Sequence, residues 1–192
     1  MSKKRRKAAE QKKSSFSFSK IVKLIFGIGI ACLIILAVNL SNESNKPNVE
    51  TSKMFTMQTT QGPVILEVYP KLMPVTVENF EKLVTSNFYN GLTFHRVEDW
   101  VVQGGDPQGN GSGGPGWTIP LEISPELKNV HGAVAMARSD APDSAGSQFY
   151  ILKKDATWLD GKYAVFGKVV QGMEIVDQIK PGDKIESIAV KE

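Results

Sequence analysis

The segment that decides the fold is Phe94–Asp106, with the sequence FHRVEDWVVQGGD. Short apolar runs lie on both sides of Glu98-Asp99, which indicates two strands joined by a turn. These strands carry one arginine, Arg96, and one glutamine, Gln103, among apolar neighbours. An inward arginine is costly unless it pairs with an acid or is needed for a ligand. The segment therefore predicts β-structure that holds either a structural ion pair or a ligand-binding arginine.

Further short apolar runs, separated by turn residues, continue on both sides of this segment. Gln61-Gly62-Pro63 separates two alternating runs and predicts a hairpin, and Asn90-Gly91 predicts another turn. The predicted strands are Met54–Thr59, Val64–Tyr69, Leu92–Val97, Val101–Gln103, Ala133–Ala137, Gln148–Leu152, Ala164–Val170 and Ile185–Val190.

Two helices are predicted beside these strands. Thr76 is expected to cap the first helix, which places four apolar residues on one face, Val77, Phe80, Leu83 and Val84. The second is predicted at Met173–Ile179. Seven or eight short strands with two helices predict a mainly β fold, a closed eight-stranded antiparallel β-barrel capped by two α-helices.

Charge is distributed unevenly along the 192 residues. Residues 1–40 carry nine basic and one acidic side chain, whereas residues 41–192 carry 14 basic and 19 acidic ones. Leu24–Leu40 has no charged residue, and as a helix such a run is about as long as a hydrocarbon core is thick. The sequence predicts a basic cytoplasmic tail (1–20), a transmembrane signal-anchor helix (21–40), a flexible linker (41–52) and a folded domain (53–192).

The orientation of this predicted anchor follows from its charges. Basic residues that precede a membrane span stay in the cytoplasm, so we expect a single-pass protein of the cell membrane with its folded domain on the extracytoplasmic side. A cleaved signal remains an alternative, although Ala37-Val38-Asn39 only approximates a cleavage site. A lipoprotein signal would need Cys32 to begin the mature chain, yet apolar residues continue beyond it. The acidic 41–192 part argues against nucleic acid as a partner.

The glycine-rich run Gly109–Gly114 matches the G-x-G-x-x-G pattern of dinucleotide sites. Such a site also needs a helix whose N-terminal amides meet the phosphates, but Pro115 follows and no helical pattern begins. We therefore expect a long surface loop at this position.

Other catalytic chemistries have few candidate residues. Cys32 is the only cysteine and lies within the apolar run, so residues 41–192 have no thiol nucleophile or disulfide. His95 and His131 are the only histidines, and no G-x-S-x-G motif is present, which argues against a zinc site and a serine triad. Glu98-Asp99 is expected to be a solvated pair in a turn rather than a glycosidase pair. We expect neither a metal nor a cofactor.

Five short motifs occur in order along the chain: FHRV at 94–97, QGGD at 103–106, GSQF at 146–149, WLDGK at 158–162 and VFGKV at 165–169. In this order and spacing the chain resembles the cyclophilin-type peptidyl-prolyl cis-trans isomerases, from about residue 54 to 190. The resemblance implies an eight-stranded antiparallel barrel capped by two helices, with an active groove on its outside. It also implies a cofactor-independent isomerase, and together with the predicted anchor this indicates an enzyme that assists the folding of exported proteins.

The resemblance assigns roles to individual positions. Arg96 matches the catalytic arginine, and Gln103 matches the glutamine that helps to hold the substrate backbone. The proline pocket is implied at Trp100, Tyr150 and Leu159, with Val101 near its rim. The groove for residues before the proline is implied at Ala137, Arg138 and Gln148, and Trp158 matches a tryptophan associated with cyclosporin contact.

The chain departs from the family pattern at several of these positions. The segment from Arg96 to Gln103 is one residue shorter than in the best-known eukaryotic members, so Trp100 replaces the usual phenylalanine. Arg138 stands where asparagine is common, and Tyr163 where histidine is common. We expect proline-containing unfolded or newly exported polypeptides as partners, with weak binding of cyclosporin-type ligands. Because Arg138 and Tyr163 alter the groove edge, a non-catalytic proline-peptide-binding or holdase module is the alternative.

Overall fold

The computed structural model describes residues 52–191. The predicted cytoplasmic tail, the predicted transmembrane helix and all of the predicted linker except Ser52 lie outside the described residues. Within 52–191, none of the helices has the length and apolar character that crossing a membrane requires.

Eight strands form one antiparallel sheet in the order β3-β4-β6-β5-β7-β2-β1-β8. Their bounds are β1 Lys53–Thr59, β2 Gly62–Val68, β3 Arg96–Val97, β4 Val101–Gly104, β5 Ala133–Met136, β6 Phe149–Leu152, β7 Val165–Gln171 and β8 Ile185–Val190. The two α-helices are α1 Pro74–Thr85 and α2 Met173–Val176, and two short 3-10 turns lie at Pro142–Ser144 and Thr157–Leu159. The predicted hairpin is confirmed, since Met57 pairs with Val64 and Thr59 with Gly62 across β1 and β2.

The prediction of a closed barrel is wrong, because the sheet is a half-barrel with β3 and β8 at its two edges. Within residues 52–191 these edge strands do not pair with each other. Only two residues of the predicted strand Leu92–Val97 enter β3, and its earlier part bonds the chain just before and at the start of β8. The amide of Phe94 donates to Asp183 O at 2.8 Å, and that of Ile185 donates to Leu92 O at 2.8 Å. A few backbone hydrogen bonds thus connect the segment before β3 to the segment around the start of β8, whereas the prediction of a closed barrel required a continuous ladder between two strands.

Successive residues of the central strands point to opposite faces of the sheet. On one face Phe149 and Ile151 of β6 join the main core, which also contains Val77, Phe80, Leu83 and Val84 of α1 and Val176 of α2. On the other face Tyr150 and Leu152 join a second apolar cluster. All four residues of β6 are buried for this reason, and the sheet separates a core from a second, outward-facing cluster.

The first helix begins three residues earlier than predicted, and Thr76 is not its cap. Pro74 starts α1, and Met73 at the N-cap position makes no side-chain capping bond. Proline suits this position because its ring fixes φ and its missing N–H needs no partner there. The carboxylate of Glu122 accepts hydrogen bonds from the amides of Val75 at 3.3 Å and Thr76 at 2.9 Å. A residue distant in sequence therefore supplies the cap.

Replacing Glu122 with alanine is expected to lower the free energy of unfolding by about 1 kcal/mol, because two helix amides lose their acceptor and the helix dipole loses a negative charge. Urea denaturation of both proteins measures the difference. Glu126→Ala is the matched control, since Glu126 is an exposed glutamate a few residues along the same segment. Equal unfolding free energies for the two variants would remove the capping role from Glu122.

Candidate functional site

A cavity of about 460 Å³ opens on the face of the sheet opposite the main core. It is lined by His95, Arg96, Trp100, Val101, Gln103, Asn110, Gly111, Ala137, Arg138, Tyr150, Leu159 and Tyr163. Nine of the eleven residues implied by the sequence resemblance are in this set. Gln148 lines a second, adjoining cavity of about 780 Å³, and Gln103, Ala137 and Arg138 line both. Trp158 lines neither cavity; it packs against Trp100 with ring centroids 5.7 Å apart and is 59% exposed.

The guanidinium of Arg96 lies at the mouth of the first cavity, where β3 pairs with β4 and Arg96 lies opposite Gln103. Its Nε donates to Glu98 Oε1 at 2.6 Å, and its Nη1 donates to Gln103 Oε1 at 3.3 Å. A guanidinium has five N–H donors, so three have no protein acceptor among the described residues. The ion pair that the sequence allowed is therefore present, and Arg96 also keeps free donors at a cavity.

Gln103 and Gln148 connect Arg96 to the glycine-rich loop. The Nε2 of Gln103 donates to Gln148 Oε1 at 3.0 Å. The Nε2 of Gln148 donates in turn to Gly111 O at 3.0 Å and Gly113 O at 2.9 Å. In this series of hydrogen bonds the side-chain amides of Gln103 and Gln148 each donate and accept. The orientation of one amide group therefore determines the orientation of the other.

The glycine-rich run Gly109–Gly114 is a loop, as predicted, and it folds around the buried carboxylate of Asp106. This carboxylate accepts bonds from the amides of Gln108 at 2.8 Å, Asn110 at 3.0 Å and Gly111 at 2.5 Å. Burial raises the pKa of Asp106, but the bonds from backbone N–H groups outweigh it and hold the pKa below its ordinary value. Gly111, with φ of 91°, has a backbone conformation that favours glycine.

Replacing Asp106 with asparagine is expected to lower the free energy of unfolding by about 2–3 kcal/mol at pH 7, because a neutral amide cannot accept all of these bonds. The folded-state pKa is depressed, so the stabilisation is full above the unfolded pKa of about 3.9 and is lost as the pH falls through the folded value. Denaturant titrations from pH 7 to pH 3 should show the difference between the two proteins shrinking only in the acid range. A constant difference across that range would contradict this role for the ionised carboxylate.

The walls of the cavity are aromatic and aliphatic. Tyr150 extends from β6 and donates from its hydroxyl to Asn129 Oδ1 at 2.7 Å, and burial raises the pKa of that hydroxyl. Tyr163 lies against Tyr150 with ring centroids 5.9 Å apart, and the guanidinium of Arg138 lies 4.9 Å from the centre of the Tyr163 ring. Arg138 also donates to the carbonyl of Lys162 at 2.7 Å. The cavity therefore offers an apolar recess with a fixed cationic edge.

His95, Asn110 and Gly111 line the cavity but were not predicted as site residues. Both ring nitrogens of His95 are buried and have no hydrogen-bond partner among residues 52–191. Burial lowers the pKa of His95, and the nearby Arg96 lowers it further while Asp106 raises it. His95 directly precedes Arg96 in sequence, which is the one signal that pointed to it. Asn110 and Gly111 reach the cavity only because Asp106 folds their loop back.

Glu98 and Asp99 are exposed, as expected of a turn, but each has a partner. The carboxylate of Glu98 bonds both Arg96 and Trp100, whose Nε1 donates to Glu98 Oε2 at 2.7 Å. Asp99 accepts from Lys154 Nζ at 2.8 Å. The hydrogen bonds from Arg96 and Trp100 lower the pKa of Glu98. Arg96 and Glu98 lie two residues apart, a spacing that places side chains on one side of an extended chain, whereas Trp100 reaches the same carboxylate through the bend at Asp99 and Trp100.

Comparison with known proteins identifies the family of this fold. Residues 54–191 match the family described as cyclophilin type peptidyl-prolyl cis-trans isomerase/CLD. The peptidyl-prolyl cis-trans isomerase of Helicobacter pylori (strain ATCC 700392 / 26695) is 43% identical over 69% of this chain and 83% of its own length. Peptidyl-prolyl cis-trans isomerase B of Bacillus subtilis is 44% identical over 65% of this chain and 88% of its own length.

Solved structures give the same assignment. A cyclophilin type peptidyl-prolyl cis-trans isomerase of Cryptosporidium parvum superposes with a TM-score of 0.71 at 30% identity, covering 74% of this chain and 99% of its own. The same protein was also crystallised in the presence of the dipeptide Ala-Pro, and that structure superposes with a TM-score of 0.70 at 30% identity over 73% of this chain and 99% of its own. By sequence and by fold, the chain belongs to the cyclophilin family of peptidyl-prolyl cis-trans isomerases.

Proposed function

We propose that the cavity beside Arg96 is the catalytic groove of this isomerase, with Arg96 as its catalytic residue. The observation that carries the proposal is the geometry of the guanidinium, which is held by Glu98 and Gln103 yet keeps three free N–H donors at the mouth of an apolar recess. This arrangement suits a reaction that needs a positioned donor but no nucleophile.

The reaction is rotation about an X-Pro peptide bond, which has a barrier of about 18–20 kcal/mol because rotation breaks amide resonance. No covalent bond forms or breaks, so a catalyst has to bind the twisted amide more tightly than the planar one. As the amide twists, the prolyl nitrogen becomes pyramidal and gains a lone pair that can accept a hydrogen bond. A free N–H of Arg96 donates to that lone pair, which is unavailable in the planar ground state.

The remaining groove residues hold the substrate while its carbonyl turns. The apolar recess formed by Trp100, Tyr150 and Leu159, with Val101 at its rim, takes the proline ring. The Gln103–Gln148 pair and the backbone near Ala137 and Arg138 bind the peptide on the side of the second cavity. The hydrogen bond to the twisted amide supplies the transition-state preference, whereas the recess mainly supplies binding.

The activity is tested by following cis-to-trans conversion of an X-Pro tetrapeptide with the purified protein, by NMR exchange spectroscopy. Spontaneous isomerisation takes tens to hundreds of seconds, and the protein is expected to shorten this time. The cationic edge made by Arg138 and Tyr163 is the observation that favours a second candidate, a holdase that binds proline-containing chains without turning them over. Peptide binding without any acceleration would support that alternative and contradict the catalytic assignment.

Trp158 is proposed to contact longer ligands at the edge of the groove. It is exposed beside Trp100, outside both cavities, where it can cover a ligand too large for the recess. Weak binding of a cyclosporin-type ligand is therefore part of the proposal. Titration with cyclosporin, followed by isothermal calorimetry, should show weaker binding to a Trp158→Ala variant.

The proposed substrates are exported, unfolded polypeptides at the outer surface of a cell membrane. This part of the proposal is supported by the sequence of residues 1–40 alone, with its basic tail and its uncharged run Leu24–Leu40. Cell fractionation, combined with the intact mass of the membrane-bound protein, tests it. Recovery in the membrane at full mass is expected, and a soluble protein that lacks the first 40 or so residues would contradict the anchor.

A further inference from the structure

Glu98 joins the arginine at the mouth of the cavity to one wall of that cavity. Its Oε1 accepts from Arg96 Nε at 2.6 Å, and its Oε2 accepts from Trp100 Nε1 at 2.7 Å. The guanidinium carbon of Arg96 also lies 5.3 Å from the centre of the Trp100 ring. One carboxylate thus holds two groove residues at a fixed separation from each other.

The backbone places Glu98 for this contact. Its amide donates to Val101 O at 2.8 Å and closes the three-residue connection between β3 and β4. Because side chains two residues apart point to the same side of an extended chain, Arg96 and Glu98 extend together toward the cavity. The neighbouring carboxylate, Asp99, points away and bonds Lys154 instead.

We infer that Glu98 is a positioning residue for the isomerisation. It fixes the guanidinium through Nε, while Gln103 takes one N–H of Nη1, and the three remaining N–H donors of Arg96 are left to face the substrate. Glu98 also holds Trp100 as the pocket wall. This inference rests on the proposed role of Arg96. A long arginine side chain samples many rotamers in water, so a contact that removes most of them before substrate arrives increases the fraction of productive encounters.

A structural role in folding does not account for this arrangement. The side chains of Arg96 and Glu98 are 43% and 44% exposed, and ion pairs at such exposed sites contribute little to stability. Removal of the carboxylate should therefore leave the unfolding transition nearly unchanged. An effect on turnover would then report the position of Arg96 and Trp100 rather than loss of the fold.

The test compares Glu98→Gln and Glu98→Ala with Asp99→Asn, which removes an adjacent negative charge without touching Arg96 or Trp100. The Glu98 variants are expected to lower kcat by about tenfold, with KM changing by less than about threefold, because the lost contact acts mainly in the twisted state. Asp99→Asn is expected to retain the parent kcat within twofold. Equal kcat for the Glu98 and Asp99 variants would overturn the inference.

Two further measurements separate positioning from other causes. In nitrogen-15 NMR spectra, the Arg96 Nε–H and Trp100 Nε1–H signals should exchange slowly with water in the parent protein and rapidly in Glu98→Ala, which removes the acceptor of both groups. In the Arg96→Ala background, Glu98→Ala should cause a much smaller loss than in the parent protein, since only its contact with Trp100 then remains to be lost. Additive losses would overturn the inference, whereas full activity of Arg96→Ala alone would contradict the proposed role of Arg96 instead.

Discussion

Arg96→Ala is expected to lower kcat/KM for an X-Pro peptide by about a hundredfold while the fold persists. Removal of one positioned hydrogen-bond donor to the transition state typically lowers kcat by a factor of this size. The loss should fall mainly on kcat, because the apolar recess still binds the proline ring. The side chain is 43% exposed, so its removal leaves no cavity in the core.

Lys71→Ala is the matched control for this loss of charge. Lys71 is exposed and lies outside both cavities, so its replacement should leave kcat/KM within twofold of the parent value. Arg96→Lys tests the shape of the donor, since an ammonium keeps the charge but cannot bond Glu98 and the substrate as a planar fork does. Unchanged turnover in Arg96→Ala would remove Arg96 from catalysis.

Phe80→Ala is expected to lower the free energy of unfolding by about 3–5 kcal/mol, a large part of the roughly 5–15 kcal/mol that stabilises a typical domain. Phe80 is fully buried on α1, and its ring centroid lies 5.1–6.1 Å from four other aromatic rings, those of Phe55, Tyr89, Phe149 and Phe166. Truncation leaves a cavity that this rigid group of rings cannot easily fill.

Guanidinium denaturation of the purified protein measures this effect, and two variants calibrate it. Phe80→Leu keeps most of the buried volume and should cost roughly 1–2 kcal/mol, which remains measurable if the alanine variant does not fold. Val75→Ala changes a partly exposed residue on the same helix and should cost less than about 0.5 kcal/mol. A Phe80→Leu variant as stable as the parent would contradict the packing argument.

Most strands were predictable from the sequence because apolar runs between turn residues are a local signal. The hairpin of β1 and β2 follows from alternation around Gln61-Gly62-Pro63, and β5 and β6 from short uninterrupted apolar runs. The sequence did not show whether the two edge strands pair with each other, since hydrophobic periodicity carries no information about which strands are partners. The expectation of a closed barrel was wrong for that reason, and Thr76 was assigned as a cap because the true acceptor, Glu122, lies far along the chain.

In the candidate site, too, residues within the motifs were predictable, whereas residues that reach the site through contacts with other segments were not. The resemblance carried by the five motifs gave nine of the residues that line the first cavity. Asn110 and Gly111 were missed because they reach it only through the turn that Asp106 organises. Glu98 was taken for a solvated charge, since a sequence does not show whether a carboxylate in a turn bends back to an arginine two residues earlier.

The two faces of the central sheet have a consequence for how this protein can change over time. In β6, Phe149 belongs to the core and its neighbour Tyr150 to the groove. A substitution at the first position therefore affects stability, whereas one at the second affects peptide binding. Substitutions on the outer face can alter which peptides are accepted without disturbing the packing that keeps the chain folded. Ligand preference can therefore diversify on a nearly constant scaffold, and Trp100 and Tyr163, which pack against the cluster on this outer face, are positions where it can do so.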